Sequence, residues 1–145
     1  MRAVCFAVMA FVLLLAGPAH AQKVPSETLQ EVLIKTSLLT FNDAALTGNY
    51  AVLYAKLSKP FRDQYPPDKL KETYKVFGEK GINLGLIAAK APVPAGESKV
   101  DDRGVLLLKG YFDTTPSRVN YDLGYIMSDG EWKLIRLNID VKKPD

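Results

Sequence analysis

The pair Asp129 and Gly130 separates two long runs, Arg118 to Ser128 and Glu131 to Lys142, in which apolar and polar residues largely alternate. Both positions of a type I′ turn need positive φ, so this pair predicts a two-residue β-hairpin at the end of the chain. Its register would set Ser128 opposite Glu131, Met127 opposite Trp132, Tyr125 opposite Leu134, Leu123 opposite Arg136 and Tyr121 opposite Asn138. One face then carries Met127, Trp132, Tyr125, Leu134, Leu123 and Tyr121, ending in Arg136, Asn138 and Asp140. The other carries Ile126, Ile135, Leu137, Ile139 and Val141 with Asp122 and Asn120. With both faces substantially apolar, helices are expected to cover one and a second subunit the other, which predicts a homodimer through the sheet.

Upstream the periodicity is helical. Pro25 and Ser26 open a long helix with Ser26 as N-cap, and Gly48 and Asn49 end it in a left-handed turn. Leu29, Val32, Leu33, Thr36 and Thr40 form one stripe and Ile34, Leu38, Phe41 and Ala45 another, so the helix is expected to be covered on more than one side. Tyr50 to Leu57 reads as a second helix. After the breaks at Pro60, Pro66 and Pro67, a third runs from Pro67 to about Lys80 on the stripe Leu70, Tyr74 and Phe77. Beyond Ile82 only strands and loops are expected. Asn83 to Ala89 is a strand, a loop runs through Pro92, Pro94 and on to Arg103, and Val105 to Asp113 is a second strand before the hairpin. Helices followed by an antiparallel sheet define an α+β class.

The start of the chain limits its chemistry. Met1 and Arg2, an apolar run from Ala3 to Ala16, the break at Gly17 and Pro18, and the small-x-small triplet Ala19, His20, Ala21 read as a cleaved secretory signal peptide over residues 1–21. The run falls short of the roughly 20 residues a membrane span needs. Residues 22–145 are then a single domain, exported to the periplasm or secreted, with no stable membrane insertion after cleavage. Cleavage removes Cys5 and His20, the chain's single cysteine and single histidine, and with them thiol nucleophiles, imidazole bases and the ligand sets favoured by zinc or copper. No metal and no cofactor is expected. Loss of Arg2 leaves 18 of the 19 basic side chains against 16 acidic ones. Lys69, Lys71 and Lys75 are interleaved with Asp68, Glu72 and Glu79, which reads as a solvated helix face and not as a nucleic-acid surface.

Three features together resemble the nuclear transport factor two-like superfamily. They are the first-helix exit Phe41-Asn42-Asp43-Ala44-Ala45-Leu46-Thr47-Gly48-Asn49-Tyr50, the stretch Leu57-Ser58-Lys59-Pro60-Phe61-Arg62, and the terminal Asp129-Gly130-Glu131-Trp132-Lys133-Leu134. The resemblance implies three N-terminal helices packed on a strongly curved antiparallel sheet, a cone-shaped domain with a ligand space between the long helix and the concave face. It also implies homodimers formed through the sheet. The superfamily holds both enzymes and non-enzymes, so it fixes no catalytic residue here.

Within that frame Tyr54, Tyr74, Tyr111 and Tyr121, with Tyr50 and Tyr125, are candidates to line a cavity or else core residues with surface-reaching hydroxyls. Arg136 and Asn138, with Asp140, alternate along one strand and either hold a polar ligand group or form an ion pair with Asp113 or Asp122. Asp101 and Asp102 beside Glu97 read as loop solvation, and Arg62 as a structural tie to the sheet. The expected function is a non-catalytic binding or scaffold module for a small apolar ligand or an envelope protein. The alternative is an acid/base isomerase or lyase, which would need an aspartate and a tyrosine to meet in one pocket.

Overall fold

The computed structural model describes residues 22–142; the expected leader and the last three residues lie outside them. Helix α1 spans Glu27–Thr47, α2 Ala51–Lys56, α3 Lys59–Gln64 and α4 Pro67–Glu79, followed by a 3₁₀ turn over Gly85–Ala89. The strands are β1 Val93–Pro94, β2 Lys99–Val100, β3 Leu106–Phe112, β4 Arg118–Ser128 and β5 Glu131–Lys142. All pair antiparallel in the order β1-β3-β4-β5, with β2 sharing the β1 side of β3. The α+β class therefore stands. No helix among the described residues is long and apolar enough to cross a membrane.

Local chemistry accounts for the helix ends. The Ser26 hydroxyl accepts the Leu29 N–H at 3.3 Å, and Gly48 closes α1 at φ 72° with its N–H on the Ala44 carbonyl. The described residues form four α-helices where three were expected. Pro60 does not break the chain but occupies the first turn of α3, where its missing N–H costs nothing. The buried face of α1 is wide, taking in Ile34, Ser37, Leu38, Phe41, Asn42, Ala44 and Ala45 with Leu33 packed beside them, while Leu29 and Val32 stay exposed. Phe41 anchors it to α4 by edge-on contacts with Tyr74 and Phe77, both at 5.0 Å between ring centres.

The strand expected over Asn83 to Ala89 is not formed. Leu84 and Ile87 are the buried residues there while Leu86 is exposed, a spacing of three that suits a 3₁₀ turn and not a strand. Side chains fix that choice. The Asn42 carboxamide oxygen accepts the Leu84 N–H at 2.7 Å, and Asn83 accepts the Gly85 N–H at 2.8 Å. The segment expected to be a loop from Pro92 to Arg103 contributes the two short strands β1 and β2, which cover the outer edge of β3.

The terminal hairpin turns at Asp129 and Gly130, with φ of 52° and 77°. Its register runs as expected from Ser128 opposite Glu131 to Tyr125 opposite Leu134, and then shifts by one at a β-bulge between Gly124 and Tyr125. Leu123 faces Leu137, Asp122 faces Asn138 and Tyr121 faces Ile139, which corrects the expected pairings of Leu123 with Arg136 and Tyr121 with Asn138. Gly124 is the reason the bulge fits. A Cβ there would stand 3.0 Å from the Arg136 Cβ and 3.4 Å from the Ile135 side chain, so glycine lets two residues sit opposite one without pushing these neighbours aside. A shift of one exchanges the faces. Beyond the bulge, Leu137, Ile139 and Val141 join Val119, Tyr121 and Leu123 against the helices. Arg136, Asn138 and Asp140 join Asn120 and Asp122 on the outer face. The outer face is thus charged along much of its length, and two apolar sheet faces no longer argue for a subunit stacked on it.

Candidate functional site

The register decides which candidate side chains can meet. On the outer face Arg136 donates to Asp122, which also lies 3.5 Å from Lys109, and the Arg118 guanidinium stacks 4.1 Å over the Tyr111 ring. Tyr54 sits between α2 and α3 with Arg62 at 5.8 Å over its ring, so Arg62 ties two helices together and not a helix to the sheet. Asp101 spends one carboxylate oxygen on the N–H groups of Arg103 and Val105, both at 2.9 Å; the Val105 bond comes first among the causes that hold its carboxyl below the usual range. Lys75 pairs with Glu72 at 2.5 Å on the solvated side of α4.

Three grooves among the described residues have a buried or half-buried tyrosine at their base. One of about 510 Å³ lies between α3, α4 and the free edge of β5 and brings together Tyr74, Arg136 and Asn138. The Tyr74 hydroxyl is already committed, donating to the Leu137 carbonyl at 3.0 Å. A second, of about 420 Å³, runs between α1 and the hairpin tip past Leu29, Leu33 and Trp132 to Tyr125. That hydroxyl is also committed, 2.8 Å from the Ser37 hydroxyl and donating to the Leu33 carbonyl at 3.0 Å.

The largest groove, of about 610 Å³, opens between the start of α1 and the β1–β2 segment. Ile34, Leu108 and Tyr121 form its base, Pro92 and Pro94 one wall, and Glu27, Glu31 and Glu97 its acidic side. Tyr121 reaches the groove because Gly110 lies opposite it on β3. A Cβ at Gly110 would stand 2.5 Å from the Tyr121 hydroxyl oxygen and would also collide with the Val93 carbonyl. The Tyr121 residue is only 4% exposed, and its hydroxyl makes no hydrogen bond with another described residue. Burial pushes its pKa up to about 12, so it is a neutral phenol at physiological pH, able to donate one hydrogen bond and accept another. The groove's polar wall is built by a chain of bonds in which Ser98 donates to Gln30 at 2.6 Å and Gln30 to the Pro25 carbonyl at 2.8 Å.

Of the six residues expected to line one site, Tyr121 alone reaches this groove; Tyr74, Arg136 and Asn138 share the β5 groove, and Tyr54 and Tyr111 lie apart from both. Sequence reasoning missed Glu27, Glu31 and Ile34, although their i, i+4 and i, i+3 spacing already puts them on adjoining parts of one helix surface. No aspartate lines any of the three grooves. The chain matches no protein-family model, no curated protein and no solved structure.

Proposed function

We propose that this chain is an exported, non-catalytic binding module that holds a small, mostly apolar molecule between α1 and the β1–β2 segment. The Tyr121 hydroxyl is its polar anchor. The observation that carries this reading is the contrast among three phenols. Those of Tyr74 and Tyr125 are spent on the protein's own carbonyls, whereas that of Tyr121 bonds no other described residue and opens to the largest of the three grooves. A phenol hydroxyl with no partner among the described residues, set over an apolar floor in a groove, is suited to orient a ligand. The volume falls within the roughly 300–1,000 Å³ typical of small-molecule sites. With Glu31 paired to Lys35 at 2.7 Å and Lys109 also at the groove, Glu27 and Glu97 leave only a small negative excess beside the apolar floor, which suits a neutral ligand.

Acid/base catalysis is the weaker reading, because Asp122 is engaged by Arg136 and Asp113 is exposed beside Arg118 at 3.8 Å, away from Tyr121. A nuclear transport factor two-like cone belongs to the same proposal and is supported by the helices-first order and the long terminal hairpin. Export rests on the composition of residues 1–21 and is checked by the mass of the secreted form, expected to begin at Gln22.

The neutral fluorophore N-phenyl-1-naphthylamine tests the site. It is expected to bind at one molecule per chain, and the rim substitution Ala91→Trp, at an exposed position, is expected to abolish binding without unfolding the protein. Unchanged binding in Ala91→Trp would refute the assignment of this groove.

A further inference from the structure

The bonding of the first described residues changes at Pro25. From there on the chain is held, because Gln30 donates to the Pro25 carbonyl at 2.8 Å, the Ser26 hydroxyl caps the Leu29 N–H, and the Gln30 N–H bonds the Ser26 carbonyl at 2.9 Å. Gln22, Lys23 and Val24 lie outside every helix and strand, are exposed, and make no hydrogen bond or ion pair with another described residue. The other two glutamines of residues 22–145 are placed differently. Gln30 has both carboxamide atoms engaged, with Pro25 and Ser98, and Gln64 ends α3. Gln22 alone joins an unengaged carboxamide to the position that a cut after Ala21 would make the amino end.

We propose that Gln22 of the exported protein is a modification site, at which the amino end closes on its own side chain to a pyroglutamyl lactam. This rests on the leader being cut before Gln22. The α-amine nitrogen attacks the carboxamide carbon Cδ and forms the N–Cδ bond of a five-membered ring. The Cδ–Nε2 bond breaks, and Nε2 leaves as ammonia with the proton that the amine gives up. Nothing is oxidised or reduced, and no co-reactant is consumed. The amine attacks in its neutral form, and with an ordinary α-amino pKa of about 7.7–8.0 a share of it is neutral near pH 7. The two groups must also be able to meet, and no bond or secondary structure holds either one away.

The ring changes the entrance of the Tyr121 groove. Val24 lines that groove, and Gln22 stands two residues before it, at most about 7 Å along the chain. An open amino end would bring an ammonium to the rim that holds Glu27 and Glu97. The lactam is neutral there, as suits a neutral ligand, and it denies exopeptidases the α-amine they need.

The intact mass of the processed protein, exported from the full chain with its leader, tests the ring. It is expected to be lower by one ammonia than the mass of residues 22–145. The amino end is expected to resist aminopeptidase until pyroglutamyl peptidase removes one residue. Gln22→Asn is the control, because its side chain is one carbon shorter and the same attack would need a four-membered ring. That variant is expected to keep the full mass of its residues 22–145 and to be trimmed from the amino end. An unreacted Gln22, or a wild type trimmed as fast as Gln22→Asn, would overturn the proposal and leave the leader assignment standing. A processed chain that starts at any other residue would overturn both.

Discussion

The hydroxyls of Ser37 and Tyr125 lie 2.8 Å apart although 88 positions separate them in the chain. This buried bond joins the middle of α1 to the centre of the sheet, beside the Leu33 carbonyl that also accepts from Tyr125 at 3.0 Å. Ser37→Ala leaves Tyr125 its bond to Leu33, and in Tyr125→Phe the serine can turn back to the same carbonyl one helical turn away. Each single change is therefore expected to cost about 1 kcal/mol. The double mutant should cost about 0.5–1 kcal/mol less than the sum, a coupling that urea denaturation of the full cycle measures.

Gly124 sets the faces of β4 and β5. Gly124→Val would drive a branched side chain into the space held by Arg136, Ile135 and Val105, with its Cβ 3.3 Å from the Val105 side chain. Destabilisation of roughly 1–3 kcal/mol is expected, read as a lowered midpoint of thermal unfolding. The equivalent change at Gly130, where nothing lies within 4 Å, acts only through its φ of 77° and should leave the packing of Tyr121 and Leu123 intact.

These two glycines mark how far the sequence could be read. Asp129 and Gly130 betray the turn because the demand for positive φ is local, and both strand spans follow from alternation alone. The bulge is different. A lone glycine within a strand signals that the ladder is interrupted but does not say on which strand the extra residue lies, and that choice reverses Arg136, Asn138 and Asp140. Leu84 and Ile87 misled for a related reason: an apolar run of strand length also fits a 3₁₀ turn, and Asn42, more than 40 positions away, decides between them. The free Tyr121 hydroxyl was invisible in sequence, since it depends on which of several tyrosines finds an acceptor in three dimensions.

Asn42 carries a matching prediction. Asn42→Ala removes the acceptor of the buried Leu84 N–H and is expected to cost about 1–3 kcal/mol, the penalty of an orphaned backbone donor. Hydrogen exchange should show the Leu84 amide losing protection well beyond that loss of global stability.

Alkaline pH should unfold the protein. Burial holds the Tyr74 and Tyr121 hydroxyls up to about 12 and raises that of Tyr125, against about 10 for an unfolded tyrosine. Between these values the unfolded chain releases protons that the folded one retains, so this contribution to stability is whole below about pH 10 and is lost as pH climbs toward 12. Phenolate absorbance is expected to appear in two phases, exposed tyrosines first and Tyr50, Tyr74, Tyr121 and Tyr125, all raised by burial, together with unfolding.

The most direct measurement is the affinity of N-phenyl-1-naphthylamine for Tyr121→Phe set beside Tyr125→Phe. If the unspent Tyr121 hydroxyl anchors the ligand, Tyr121→Phe keeps wild-type stability and binds the fluorophore about 3- to 10-fold more weakly, the worth of one hydrogen bond, while Tyr125→Phe loses stability and keeps its affinity. Equal affinity in Tyr121→Phe and wild type would contradict the account.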